Sequence, residues 1–301
     1  MTRRKIIVTG GTGLVGRALV AALSPTYDIR VLSRSAKTPH SIRWDPARGE
    51  VDLRELEGAF AVVHLAGENI AALRWTKSKK NRILRSRVDG TRFLVDTLAK
   101  LSAKPEVLIA SSANGYYGSQ RAEMLAETSP PGTGFLSDVC VAWEREAARA
   151  RDLGVRVVHL RTGLVLSRDG GALPPMLLPF RLGLGGRIGS GKQFVSWIHM
   201  ADLVRSIQFL LEAPIDGAIN AVAPEPVTNN ELTRTLATIL RRPALLPVPS
   251  FALRFALGEM GTTLLLASIR AVPERLLSEG FQFHYPTLEH ALRGLLSRGT
   301  R

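Results

Sequence analysis

Residues 6–16, Ile6-Ile7-Val8-Thr9-Gly10-Gly11-Thr12-Gly13-Leu14-Val15-Gly16, decide the fold. An apolar run leads straight into a glycine turn, and Leu14-Val15-Gly16-Arg17-Ala18-Leu19-Val20 then opens a helix. Strand, glycine turn and helix in that order suit the pyrophosphate of a dinucleotide. Gly10 and Gly13 permit a tight turn and close backbone approach, and Gly16 lets helix and strand pack closely. The helix N-terminus, at Leu14 and Val15, offers free N–H donors and a positive dipole end. A glycine pattern alone is weak; this one has the strand before it and the helix after it.

Asp28-Ile29-Arg30-Val31-Leu32-Ser33-Arg34 reads as the second strand, with a polar exit. A site that prefers NAD places an acid near this distance to accept from the ribose 2′-hydroxyl. Here Ser33 and Arg34 occupy the exit, Lys37 follows, and no acid appears until Asp45. A carboxylate would repel a 2′-phosphate, whereas Arg34 can pair with one through its planar fork. The expected cofactor is therefore NADP(H).

The rest of the first half alternates strand and helix. Residues 59–66 read as a buried strand, 79–101 as a long helix, 106–112 as a fourth strand, 138–151 as a helix and 155–160 as a fifth strand. That rhythm predicts a doubly wound parallel sheet of Rossmann type, covered on both faces. Beyond Arg161 glycines and prolines punctuate the chain, helices are expected near 201–211 and 231–240, and the tail from Phe251 reads as helical. The expected division is a nucleotide-binding domain over 1–163, substrate-lobe and return segments over 164–250 that partly complete it, and a C-terminal helical domain over 251–301.

Composition narrows the function classes. The 301 residues contain one cysteine, Cys140, which excludes an intrachain disulfide framework and a cysteine-rich metal site and fits a reducing cytoplasm. The six histidines show no H-x-x-H or H-E-x-x-H spacing, so no metal is expected. No apolar run is long enough to span a bilayer, and the first strand begins at once, so neither an anchor nor a signal peptide is expected. The net charge of +14 comes from scattered residues without interleaved aromatics. A solvated arginine-rich surface is its commoner cause, and nucleic-acid binding is not expected as the main role.

Together these residues resemble the extended short-chain dehydrogenases/reductases, of the sugar-nucleotide epimerase/dehydratase kind. More narrowly they resemble an atypical epimerase-like family with an added C-terminal helical domain of unknown function. The landmarks are Thr9 to Gly13, Ser33-Arg34, Leu65-Ala66-Gly67-Glu68-Asn69-Ile70, Ser86-Arg87-Val88 and Leu178-Pro179-Phe180-Arg181-Leu182-Gly183. Ser196-Trp197-Ile198-His199, Asn220 to Pro224 and Gly280-Phe281-Gln282-Phe283 complete them.

The resemblance implies a serine at the end of the fourth strand that orients the substrate carbonyl. It also implies a tyrosine that moves a proton, aided by a lysine four residues later. Ser112, followed by Ala113-Asn114-Gly115-Tyr116-Tyr117-Gly118, matches the serine element. Aligned on Glu144, the tyrosine slot falls on Leu136 and the lysine slot on Cys140, which share a helix face with it. Leucine cannot transfer a proton, and a thiol supplies no positive charge. Tyr117 or Tyr116 is then the candidate proton donor.

Leu65, Ala66, Gly67 and Glu68 are candidate cofactor contacts. Glu68 and Asn69 follow the third strand at the carboxyl ends where open α/β sheets bind ligands, to touch the nicotinamide ribose or substrate or to cap the loop. Arg87 stands where the superfamily has asparagine, bringing a positive charge toward a phosphate, with Arg82 assisting or lying on a solvated helix face. Arg161 resembles the Arg-x-Gly element near the nicotinamide. His199 resembles a structural helix start, with Asp202 in the first turn. The expected function is an NADP(H)-dependent oxidoreductase or epimerase-like enzyme on a small molecule, which leaves a homo-oligomer open. The alternative is a non-catalytic NADP(H)-binding redox sensor or regulator acting through a protein partner.

Overall fold

The computed structural model describes residues 3–34, 41–71, 74–120 and 122–297, so Lys37 lies outside the described residues. Eight strands form the main sheet: β1 Lys5–Thr9, β2 Asp28–Ser33, β3 Ser41–Asp45, β4 Glu50–Val51, β5 Ala61–His64, β6 Val107–Ala113, β7 Arg156–Thr162 and β8 Gly217–Ala221. Their order is β8-β7-β6-β5-β1-β2-β3-β4. Every pairing is parallel except that of β4 with β3. The chain builds outward from β1 to one edge and returns through β5 to the other. The order reverses between β1 and β5, and in such sheets ligands sit at that reversal, beyond the carboxyl ends.

The longer helices are α1 Leu14–Leu23, α2 Lys77–Leu98, α3 Phe135–Ala148, α4 Leu173–Arg181, α5 Met200–Glu212, α6 Asn229–Leu240, α7 Ser250–Leu257, α8 Glu259–Leu265 and α9 Leu288–Leu296. Strand periodicity sorts side chains onto two faces. Ile6 and Val8 point into the core shared with α1 and α5, beside Leu19, Leu23, Ile207 and Leu210. Ile7, between them, points into the opposite core with Leu94, Leu98 and Ala147 from α2 and α3. A third cluster closes the lobe, joining Leu173, Leu177 and Phe180 to Trp197, Leu232, Leu236 and Leu292.

Several limits differ from the sequence reading. The expected strand over 59–66 narrows to Ala61–His64, and the helix expected from 138 starts at Phe135, after Gly134 at φ 103°. β3, β4 and β8 were not read as strands. β3 is a short edge element in which only Ile42 and Trp44 are buried. β8 carries a polar Asn220 in its buried centre, which breaks an apolar run.

Candidate functional site

The turn after β1 forms a cradle that side chains cannot enter. Gly10 has φ 69°, and a Cβ there would lie 2.8 Å from the Leu65 carbonyl carbon. A Cβ on Gly16 would strike the Gly10 carbonyl oxygen. Gly13 is the N-cap of α1; it offers no side-chain cap, and the first turn holds no acid. The amides at the start of α1, from Leu14 and Val15 onward, therefore meet an anion without competition from a carboxylate. Ser33 ends β2 and Arg34 follows it, exposed. The cradle, the uncapped helix and the cationic exit together fit a dinucleotide.

Beneath the cradle the Thr9 hydroxyl accepts from the Leu65 and Ala66 amides, both at 3.1 Å. With both lone pairs used, it donates its proton to His64 Nδ1 at 2.7 Å, which leaves Nε2–H to donate to Thr91 Oγ1 at 2.9 Å. Burial pushes the His64 imidazole down to about 4, so the ring is neutral. This chain of bonds fixes Leu65 and Ala66 against the glycine turn.

The next segment is stapled to α2. The Glu68 amide donates to Ser86 Oγ, and its carbonyl accepts from Arg87 Nη1. Its carboxylate accepts from Lys79 Nζ at 2.7 Å, and that bond holds Glu68 below the usual carboxylate range. Arg82, 3.6 Å from Glu68, is exposed and also donates to Ser78, so it lies on the helix surface rather than in the crevice. Asn69 Oδ1 accepts from the Ala71 amide, a loop-capping bond. Arg87 packs beneath Gly67, whose added Cβ would lie 3.2 Å from the guanidinium, and over the Trp143 ring at 5.1 Å. Among the described residues no carboxylate forms an ion pair with Arg87. Lys79 was missed: it shares a helix face with buried Ile83, four residues on, yet reads in sequence as one of a surface lysine group.

At the end of β6, buried Ser112 donates to Glu144 Oε1 at 2.6 Å. Arg161 clamps the same carboxylate through Nε at 2.8 Å and Nη2 at 2.9 Å. As expected, Leu136, Cys140 and Glu144 turn one helix face toward β6. Leu136 lies against Gly115, and Cys140 lies against Ser112 and Ala113. Burial, reinforced by Glu144, pushes the Cys140 thiol up to about 11, so it remains protonated.

Two expectations need correction. Tyr117 is fully buried; its hydroxyl donates to Asn220 Oδ1 at 2.7 Å and accepts from Arg161 Nη1 at 3.0 Å. Burial pushes it up to about 12. A phenol so enclosed cannot meet a substrate, and it joins β8 to β7 instead. Arg161, expected beside the nicotinamide, is 4% exposed and spends its donors on Glu144, Tyr117 and the Glu127 carbonyl. It positions Glu144. Tyr116 is half-buried, with its ring under the Arg161 guanidinium at 3.4 Å. His199 starts α5 as expected: Nδ1 accepts from the Ala201 amide, and the ring stacks on Tyr285 at 3.8 Å.

Among the described residues no group of three His, Cys, Asp or Glu side chains could hold a metal, and no helix is long and apolar enough to cross a membrane. A model of the NAD dependent epimerase/dehydratase family matches residues 6–222, and a domain of unknown function, DUF1731, matches 248–295. An epimerase family protein of Mycobacterium tuberculosis is 40% identical over 295 residues, 97% of each chain. The human epimerase family protein SDR39U1, crystallised with NADPH, has a TM-score of 0.90 and 36% identity, covering 98% of this chain and 99% of that one. The nucleoside-diphosphate sugar epimerase of Corynebacterium glutamicum has a TM-score of 0.81 and 35% identity, covering 98% of this chain and 58% of that one. With the glycine cradle, the reversed strand order and the Ser112 element all in place, this chain belongs to the NAD-dependent epimerase/dehydratase family.

Proposed function

We propose that the chain is an NADP(H)-dependent oxidoreductase or epimerase-like enzyme acting on a small molecule. Gly10, Gly13, Gly16 and the first amides of α1 would hold the pyrophosphate, and Arg34 the 2′-phosphate. The human relative's crystallisation with NADPH supports that choice of cofactor. The nicotinamide, when bound, supplies or takes the hydride. The protein's task is to orient the substrate and manage a proton.

The observation that carries the enzymatic reading is the Ser112–Glu144–Arg161 chain. Glu144 receives hydrogen bonds from both neighbours, so it acts as a carboxylate. Because the Ser112 proton already points to Glu144, the free lone pairs of Ser112 Oγ can accept from a substrate hydroxyl. A proton leaving that hydroxyl passes to Ser112 Oγ as the serine's own proton passes to Glu144, and the return path delivers it to a carbonyl. This relay gives Ser112 a proton-transfer role beyond the orienting one expected of it, and it needs no lysine. Of the two candidate phenols, Tyr116 is half-buried and is the one left to face the substrate.

The test begins with calorimetric binding of NADPH and NADH, followed by nicotinamide absorbance against pooled aldehydes and ketones. Ser112→Ala and Glu144→Gln should each lower turnover by about a hundredfold, the scale of general acid–base catalysis, with NADPH affinity retained. Unchanged turnover in both would remove the relay. A second reading, a non-catalytic NADP(H)-binding regulator, is favoured by Leu136 and the protonated, uncharged Cys140. NADPH-selective binding without turnover of any pooled carbonyl would support it.

A further inference from the structure

The lobe contains a cavity of about 800 Å³ whose walls include Arg168, Arg181, Arg241 and Arg242, over an apolar floor from Ile239 and Leu240. Among the described residues no carboxylate lines it, and all four arginines are exposed to solvent. Among the described residues, none of the four guanidinium groups makes an ion pair or hydrogen bond. None of the residues of the glycine cradle borders it.

Helix dipoles are the simplest reason for arginines to gather here. Three helices end at this cavity: α4 at Arg181, α6 at Leu240 and α9 at Leu296. Each C-terminus carries about half a negative charge, roughly 1.5 in all. Four guanidinium groups overcompensate that, leaving an excess of about 2.5 positive charges.

The backbone supplies an independent observation. Arg241 is the only non-glycine residue with positive φ among the described residues, at φ 52° and ψ 47°. It terminates α6, its amide closing onto the carbonyls of Ala237 and Thr238. Glycine ordinarily takes this left-handed position, because a Cβ crowds the neighbouring carbonyl. Arginine here gives up backbone comfort and holds a fourth guanidinium at the cavity.

We propose that this cavity binds a small polyanion, a phosphate ester or diphosphate carrying about two negative charges. Its volume lies in the range of small-molecule sites. A recess, rather than a track of charge along the surface, suits a compact ligand and not a nucleic-acid backbone. The planar forks of arginine match phosphate oxygens in pairs.

Inorganic pyrophosphate is the probe, titrated by calorimetry at constant ionic strength with and without saturating NADPH. One equivalent should bind, and NADPH should leave its affinity unchanged. Arg181→Gln and Arg242→Gln should each weaken it by about tenfold or more, the scale of a charge-assisted bond, whereas Arg34→Gln should not. Arg241→Gly should weaken binding similarly while raising the melting temperature of the ligand-free protein, since glycine relieves the turn. Three results would each overturn the proposal: no binding, binding that NADPH or Arg34→Gln abolishes, or an equal response to sulfate and chloride. The second would place the anion in the glycine cradle, and the third would reduce the cavity to diffuse charge.

Discussion

His64 makes the stability of the cofactor crevice sensitive to mild acid. Its folded pKa is about 4, depressed by burial, against about 6.5 for an unfolded histidine. Well above pH 6.5 the ring is neutral in both states and costs nothing. As pH falls from about 6.5 toward 4, the unfolded chain takes up a proton that the folded ring refuses, so stability falls across that window. Between pH 7 and pH 5 the loss integrates to about 2 kcal/mol. His159 is also pushed down to about 4 by burial, and its Nδ1 is buried without a partner. It contributes a similar amount, so the two rings together remove about 4 kcal/mol, a large share of a typical domain's stability. His64→Asn keeps an acceptor for the Thr9 hydroxyl but does not titrate, and it should roughly halve the loss. Urea unfolding of both proteins at several pH values, at fixed ionic strength, measures this directly. Carboxylates such as Glu68 titrate alike in both proteins and cancel in the difference. An identical pH dependence in the variant, or a His64 ring titrating near pH 6.5 by NMR, would refute the reasoning.

Other substitutions separate the roles of neighbouring groups. Arg34→Asp should weaken NADPH by about tenfold or more, the scale of a lost charge-assisted pair, and NADH far less; equal wild-type affinities for the two nucleotides would end the 2′-phosphate argument. Tyr117→Phe leaves Asn220 and Arg161 each short of a partner and should cost about 1–3 kcal/mol in denaturant unfolding with turnover little changed. Tyr116→Phe should do the reverse, lowering turnover while leaving unfolding nearly unchanged. Arg87→Met should cut NADPH or substrate affinity, measured by calorimetry and KM, by about tenfold; unaltered binding with a large loss of stability would make Arg87 a purely structural clamp.

What the sequence revealed tracks how local the physics is. The glycine cradle was legible because its constraint lies within Gly10–Gly16 and the adjoining strand. The shared face of Leu136, Cys140 and Glu144 was legible because helical spacing alone sets it. The target of that face was not, since Ser112 and Arg161 arrive from two other strands. Tyr116 and Tyr117 were indistinguishable for a different reason. They sit in a 3-10 turn over Asn114–Tyr117, ended by Gly118 at φ 61°, and that turn directs one ring inward. β8 escaped notice because Asn220 occupies its buried centre. That side chain is satisfied by Tyr117 and by the carbonyls of Leu125 and Val272, all distant in sequence.

On the proposed reading, leucine and cysteine in the expected tyrosine and lysine slots change the sign of the charge beside Ser112. In the superfamily pattern a lysine lowers the pKa of a phenol, and the site stabilises a phenolate. Here the same helix face presents a leucine, a neutral thiol and a carboxylate. A lysine at 140 would lie close to both Glu144 and Arg87, and its charge would compete with the Arg161 clamp. The cysteine avoids that conflict. Arg87 lies near the neutral Cys140 thiol and makes no ion pair with a protein carboxylate among the described residues. Positive charge is thus supplied from α2, while the capacity to accept a proton is supplied from α3. An anionic oxygen on the substrate side would be drawn to Arg87 and repelled by Glu144. Under the proposed relay Ser112 would link the substrate to the carboxylate, and the Arg87 guanidinium, rather than a lysine, would balance charge on the substrate.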